Sequence, residues 1–109
     1  MARTLKEIQA DSERVSQIYA RNCDIKRDDD WQVLKLAEEV GELTSAFLRM
    51  TSRGRLKGDE PAEIRQQFED ELADCLAQVL LIAERFEVDL DAAVERKWFR
   101  YLDKGSGDA

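Results

Sequence analysis

The amino-acid sequence predicts an all-α fold of about four helices. The 109 residues include one proline and five glycines, which is too few breakers for a chain of many strands and turns. Alanine, leucine, glutamate, lysine, arginine and glutamine dominate, and these residues favour helix. Apolar residues recur at intervals of three and four, so they fall on one side of a helix. We expect a single domain over 1–109, with 103–109 as a frayed tail.

The first helix is predicted over residues 4–22. Thr4 and Glu7 have the spacing of a capping box, in which each side chain accepts a hydrogen bond from the other residue's backbone. The apolar stripe of this helix is interrupted by polar residues. It consists of Leu5, Ile8, Val15, Ile18 and Tyr19.

The second helix is predicted over residues 31–50, with Asp29 or Asp30 as its N-cap. Its apolar residues cover about half of the circumference, whereas one neighbouring helix covers about a third. They are Val33, Leu34, Leu36, Ala37, Val40, Leu43, Phe47 and Leu48. The excess predicts contact with helices of another subunit, so we expect at least a homodimer, or a tetramer.

A basic segment separates the second helix from the third. Pro61 suits a first helical turn, with Asp59 or Glu60 as cap, and the third helix is predicted over 60–86. Its apolar stripe comprises Ile64, Phe68, Leu72, Cys75, Val79, Ile82 and Phe86. The fourth helix is predicted to begin after Asp89 and to reach about Leu102.

The composition excludes several classes of function. A net charge of −7 argues against binding to a nucleic-acid polymer, which requires a basic surface. The absence of histidine excludes Ser-His-Asp and Cys-His catalysis and histidine-based metal sites. Any metal must then be bound by oxygen, which points to Mg²⁺, with Mn²⁺ as a substitute.

The cysteines and the hydropathy indicate where such a protein works. Cys23 and Cys75 lack metal-ligand spacing, so we expect two free thiols in a reducing compartment. No signal-peptide pattern is visible, and no apolar run is long enough to span a membrane. We therefore expect a soluble, cytoplasmic protein without a membrane partner.

Two pairs of acidic residues lie beside the apolar stripes. Glu39 and Glu42 are three residues apart on the second helix, and Glu71 and Asp74 are three apart on the third, so each pair shares a helix face. If the two helices pack together, four carboxylates converge, and their repulsion grows as water is removed. A divalent cation would offset that cost. The alternative is an ordinary solvated acidic face paired with lysine or arginine.

The stretches "EEVGE" and "ELAD" resemble the E-E-x-x-E … E-x-x-D signature of MazG-like nucleoside triphosphate pyrophosphohydrolases, of the all-α NTP pyrophosphatase superfamily. Residues 43–70 separate the two halves, and the likeness extends over residues 31–97. The resemblance implies an oligomeric helical bundle that uses magnesium to split a nucleoside triphosphate into monophosphate and pyrophosphate.

Site residues follow from the same resemblance. It implies that the metal ligands are Glu39, Glu42, Glu71 and Asp74. Glu38 would then position or activate the attacking water or brace a ligand, and Lys97 would contact phosphate. Many relatives continue with an asparagine where this chain has Tyr101, so the resemblance does not carry over nucleotide recognition at that end.

Four further residues are candidates for substrate binding, each with a structural alternative. Trp31 could stack on a base or begin a helix, and Phe47 could line a base pocket or belong to the core. Lys35 could contact phosphate or form a helix salt bridge with Glu38 or Glu39. Arg55 belongs to a group of cations that could close on phosphates or remain a solvated segment. That group is Arg49, Arg53, Arg55 and Lys57.

Three functional hypotheses remain open at this point. The first is a magnesium-dependent nucleoside triphosphate pyrophosphohydrolase, for which removal of surplus or non-standard nucleotides is a fitting role. The second is an activity of the phosphoribosyl-ATP pyrophosphohydrolase type, from the same superfamily. The third is a non-catalytic, homo-oligomeric interaction protein whose acidic face binds a partner.

Overall fold

A computed structural model describes residues 2–102 as four α-helices followed by a short 3-10 helix. The elements are α1 (Leu5–Asn22), α2 (Asp29–Met50), α3 (Pro61–Arg85), α4 (Leu90–Lys97) and the 3-10 helix (Phe99–Tyr101). No strand occurs in this part of the chain, so the all-α prediction is confirmed. The tail expected at 103–109 lies outside the described residues. None of the four helices has the length and apolarity to cross a membrane.

Side-chain caps mark the starts of α1, α2 and α4. The predicted capping box is present at α1, with Glu7 N–H donating to Thr4 Oγ1 at 3.1 Å and Thr4 N–H donating to Glu7 Oε1 at 2.9 Å. At α4, Asp89 accepts from the Ala92 N–H at 3.2 Å, as expected. The cap predicted for α2 was wrong. Asp28 accepts from the backbone of Trp31 at 2.8 Å, so both Asp29 and Asp30 are already helical.

The ends of α1, α2 and α3 share one motif. In each, the second residue after the helix has positive φ: Asp24 at 54°, Ser52 at 61° and Glu87 at 55°. The next N–H donates back to a carbonyl of the last turn, as from Val88 N to Ala83 O at 2.8 Å. This is the Schellman arrangement, which usually places glycine at the left-handed position.

The extent predicted for the fourth helix was also wrong. α4 ends at Lys97, and the backbone then tightens into the 3-10 helix rather than continuing to Leu102. α4 packs mainly against that 3-10 helix, and not closely against α1, α2 or α3. Few tertiary contacts therefore support this last segment. Trp98 and Leu102 are largely exposed on it.

α3 is the central helix of the structure. α2 runs antiparallel to it along its length, with Gln32 near Gln78 and Arg49 near Gln67, and α1 packs on its C-terminal half. The buried apolar side chains are few and mostly small or on α3: Ala20, Ala46, Ile64, Leu80, Leu81 and Ala83. Because α3 contacts two helices, its buried face, which includes Leu80, Leu81 and Ala83, differs from the narrow stripe that the sequence predicted. Leu72, Val79 and Phe86 of that stripe are exposed.

Arg49 holds the segment between α2 and α3 in place. Its guanidinium donates to the carbonyl oxygens of Arg55 at 2.8 Å and Leu56 at 2.9 Å, and it also bonds to Asp59 and Gln67. These bonds satisfy the donors of Arg49 and draw a loop, a helix end and the start of α3 together. Arg49 therefore has a structural role that the sequence did not predict.

Candidate functional site

Three carboxylates meet where α2 faces α3. Glu39, Glu71 and Asp74 each offer one oxygen, and these three oxygens lie within 4.8 Å of one another. Glu71 and Asp74 are one helical turn apart on α3, and the antiparallel packing brings Glu39 opposite them. The structure thus brings together three of the four predicted metal ligands.

The described residues balance the negative charge of the cluster only in part. Oxygen Oε2 of Glu71 is buried and has no hydrogen-bond partner within residues 2–102. Burial raises the pKa of Glu71, and the negative charges of Asp74, Glu39 and Glu42 raise it further. The pKa of Glu39 is raised first by burial and then by Asp74, and its side chain is only 14% exposed.

Glu42, the fourth predicted ligand, lies just outside the group of three. Its charge nevertheless reaches Glu71, where it contributes to the raised pKa of that carboxyl. Glu42 is exposed at the surface of α2, one turn beyond Glu39. Its position is therefore next to the cluster rather than within it.

Lys35 is the cation beside the cluster. It forms an ion pair and hydrogen bond with Glu38, and its Nζ lies 3.6 Å from Glu39 Oε1. The hydrogen bond to Glu38 is the largest cause of the raised pKa of Lys35. The salt-bridge alternative predicted for Lys35 is therefore observed. Glu38 itself is 59% exposed and lies on the solvent side of this pair.

These residues fit a hard divalent cation. The donors are all oxygens, which Mg²⁺ and Mn²⁺ prefer, and Glu71 Oε2 has no hydrogen-bond partner among the described residues. Four nearby carboxylates and one lysine leave a net negative site. A bound cation would therefore lower the free energy of the folded protein.

A cavity of about 540 Å³ opens beside the carboxylates. Residues of α1, α2 and α3 line it, and Glu39 and Asp74 form one part of its wall. Two predicted substrate-binding residues, Trp31 and Lys35, line it as well. The cavity therefore connects an aromatic ring and a cation to the acidic cluster.

Three other candidates lie away from this cavity. Phe47 packs near Phe68, with ring centroids 6.4 Å apart, and the guanidinium of Arg53 lies 5.3 Å from its ring centre. The side chain of Arg55 is exposed on the segment before α3, and Lys97 is exposed at the end of α4. Within one chain, the structure does not bring these three to the carboxylates.

The sequence analysis missed a buried polar pair. Gln32 is 1% exposed and Gln78 is 5% exposed, and they bond to each other across α2 and α3. The spacing of these glutamines from the acidic residues could have indicated the pair. Gln78 follows Asp74 by four residues and Gln32 precedes Glu39 by seven, so both share the faces of the acidic residues.

Comparison with protein families now places the chain. The family model described as the MazG nucleotide pyrophosphohydrolase domain matches residues 30–104, and this range contains the whole acidic cluster. The chain belongs to the MazG family. Searches of curated proteins and of solved structures returned no significant match.

MazG membership confirms the resemblance that the two acidic motifs indicated. It supports nucleotide pyrophosphohydrolase activity in general, with a nucleotide as substrate. Tyr101, where the sequence departs from the family pattern, contacts the neighbouring Arg100. Arg100 donates a hydrogen bond to the Tyr101 hydroxyl at 2.8 Å, and its guanidinium lies 4.8 Å from that ring centre.

Proposed function

We propose that this MazG-family chain is a Mg²⁺-dependent nucleoside triphosphate pyrophosphohydrolase. It hydrolyses the triphosphate between the α and β phosphates, and the products are a nucleoside monophosphate and pyrophosphate. The observation that carries the proposal is the cluster of Glu39, Glu71 and Asp74, with one unpartnered buried oxygen, at the edge of a cavity large enough for a nucleotide.

Glu39, Glu71 and Asp74 are the proposed ligands, and Glu42 completes the acidic set from the next turn of α2. When bound, Mg²⁺ would neutralise phosphate charge and lower the pKa of a coordinated water. Phosphoryl transfer depends mainly on positioning and charge neutralisation, so a site of carboxylates and few cations suffices. Mn²⁺ is expected to substitute, because it accepts the same oxygen ligands.

Glu38 and Lys35 have complementary proposed roles. The exposed carboxylate of Glu38 would orient the attacking water, which a nearby base can do without forming a covalent bond. Lys35 lines the cavity and would transfer its contact from Glu38 to a substrate phosphate. The pair with Glu38 holds both side chains at the edge of the site until substrate arrives.

Lys97, unlike Lys35, does not line the cavity of its own chain. For Lys97 to contact phosphate, it would have to come from a second subunit. The exposed apolar faces described above would accommodate such an assembly. The proposed phosphate contact of Lys97 therefore depends on self-association.

Hydrolysis in ¹⁸O-labelled water tests the reaction. A panel of ribo- and deoxynucleoside triphosphates, with phosphoribosyl-ATP included, is incubated with the protein and Mg²⁺ and analysed by mass spectrometry. We expect pyrophosphate and a monophosphate that carries the label, with no turnover when Mg²⁺ is chelated. Release of orthophosphate and diphosphate would contradict the proposed reaction. Turnover of phosphoribosyl-ATP alone would favour the second hypothesis, and no turnover at all would favour the interaction protein.

A further inference from the structure

The cavity wall contains a hydrogen-bond acceptor that the described part of the chain leaves unused. Gln78 lines the cavity and is 5% exposed. Its two hydrogen bonds both involve its side-chain nitrogen, which donates to Gln32 O at 2.9 Å and to Gln32 Oε1 at 3.0 Å. Within residues 2–102, the one fully buried side-chain polar atom without a partner is Glu71 Oε2, so Gln78 Oε1 keeps an accessible surface.

Gln32 fixes which end of the Gln78 amide is offered. A backbone carbonyl can only accept a hydrogen bond, so the NH₂ group of Gln78 must face Gln32 O. The side-chain oxygen of Gln32 accepts from the same nitrogen, and Gln32 is itself almost completely buried. If the Gln78 amide were flipped, the oxygen of Gln78 would face two acceptors, Gln32 O and Gln32 Oε1. The cavity therefore presents an acceptor and not a donor at this point.

The position of this acceptor relative to the acidic cluster suits a nucleoside. Gln78 lies four residues after Asp74 on α3, a rise of about 6 Å along the helix, and both residues line the cavity. Trp31 also lines it and offers an aromatic face. A nucleotide whose phosphates lie at the carboxylates would thus extend its base toward Gln78.

We propose that Gln78 determines base specificity by accepting a hydrogen bond from an exocyclic amino group, with Gln32 as its positioning residue. This inference rests on the proposed function and names the substrate class of the same site. An amino group offers N–H donors to the amide oxygen, whereas a keto group at that position would place two acceptors together. Nucleotides of cytosine and adenine are therefore preferred to their keto counterparts, which carry uracil and hypoxanthine.

Matched nucleotide pairs test the proposal. For CTP against UTP and ATP against ITP, the wild-type ratio of kcat/KM is expected to be at least about tenfold, because a buried acceptor left unpaired is costly. Gln78→Leu should bring both ratios close to one. Gln32→Leu removes one of the two acceptors that hold the Gln78 nitrogen and leaves the backbone carbonyl in place, so the ratios should fall by less than in Gln78→Leu.

Two variants control for folding. The double variant Gln32→Leu/Gln78→Leu removes both polar partners, which costs less than leaving one of them unpaired in the interior. It should melt near the wild-type temperature and show no discrimination. Gln66→Leu, at an exposed glutamine of the same helix, should leave the ratios unchanged.

Binding of CMP and UMP, measured by calorimetry with Mg²⁺ present, separates this inference from the proposed function. Tighter binding of CMP that depends on Gln78, without hydrolysis of any triphosphate, would support the inference and overturn the proposed reaction. Hydrolysis of CTP and UTP with equal kcat/KM would support the proposed reaction and overturn the inference. A wild-type ratio that persists in Gln78→Leu, or no binding of either monophosphate, would overturn the inference.

Discussion

Glu71 combines two unfavourable features at a single residue. One of its oxygens is closed off from water without a hydrogen bond to the described residues, and its pKa is raised by burial and then by four further carboxylates. Burial of an unbalanced charge destabilises a folded protein unless a ligand compensates for it. A functional ligand is the simplest reason for a chain to retain such a group.

Glu71→Gln is predicted to have opposite effects on stability and on function. The metal-free variant should melt a few degrees above the wild type, because one buried charge is removed. Addition of Mg²⁺ should raise the melting temperature of the wild type but not of the variant, since binding stabilises only a competent folded state. Loss of a residue that hydrogen-bonds to a metal ligand lowers metal affinity or activity about 10- to 100-fold, so loss of a ligand should reduce turnover by more.

Differential scanning fluorimetry with and without Mg²⁺ measures these shifts. Glu69→Gln is the control, because Glu69 is exposed on the same helix and pairs with Arg65 at the surface. Its response to Mg²⁺ should match that of the wild type. An equal response in Glu71→Gln would remove Glu71 from the metal site.

A second prediction concerns pH and the pair of Glu13 with Arg27. Arg27 donates to both oxygens of Glu13 at 2.9 Å, and this bond lowers the pKa of Glu13 below its usual 4.5. A lowered folded-state pKa adds stability above the unfolded-state value, and that stability is lost as the pH falls through the folded-state value. Glu13→Gln should therefore reduce the free energy of unfolding by about 1–3 kcal/mol at pH 7 and by much less near pH 3.

Urea denaturation at the two pH values tests this expectation. Glu95→Gln, at an exposed position of α4, should have little effect at either pH. If Glu13→Gln cost the same free energy at pH 3 and pH 7, the ion pair would not be the cause.

At the scale of the elements, the helix ends offer a direct test of backbone strain. Glu87 follows α3 with φ at 55°, a conformation that costs a residue with a side chain about 1–2 kcal/mol. Glu87→Gly should relieve that cost, and Glu87→Ala should remove the same charge while keeping the strain. Denaturant unfolding should find the glycine variant more stable than the alanine variant by about 0.5–1 kcal/mol. Equal stability of the two would mean that this helix end is not strained.

The same elements show what the sequence could and could not predict. Thr4, Glu7 and Asp89 form caps by bonds that span three residues, so local spacing was enough to find them. Among three consecutive aspartates, the identity of the cap depends on where α2 packs, and the prediction missed Asp28.

The other differences between the prediction and the structure arise from contacts between residues that are far apart in the sequence. Periodicity identified the acidic faces of α2 and α3, and these do meet. It could not reveal that Gln32 bonds to a partner 46 residues away, nor that Leu34 lies outward at 67% exposure. It also could not place Lys97, because α4 has little contact with the rest of its own chain.

At the scale of the whole molecule, one chain leaves much of its apolar surface uncovered. α1 exposes Val15 and Ile18, α2 exposes Leu34 and Val40, and α3 exposes Leu72. Exposed apolar area of this extent is typical of an interface. These faces include that of α2, whose wide apolar arc predicts self-association.

Leu34→Lys should therefore disrupt assembly with little effect on the fold of one chain. Leu34 is 67% exposed, so a lysine at this position meets water in the monomer but would bury a charge in an interface. We expect the wild type to sediment as a dimer or tetramer at low micromolar concentration and the variant to dissociate at least about tenfold more readily. Leu56→Lys, in the segment before α3, is the control. A wild-type chain that is monomeric and fully active would contradict the prediction.

The two tryptophans lie in separate parts of the described structure, and this gives the protein two independent optical reporters. Trp31 lines the cavity, whereas Trp98 is 64% exposed beyond the end of α4. In Trp98→Phe, the remaining indole fluorescence follows the filling of the cavity. In Trp31→Phe, a shift of the emission toward the blue reports that the last segment has lost contact with water. Ligand binding and assembly can therefore be titrated separately, without attaching a dye.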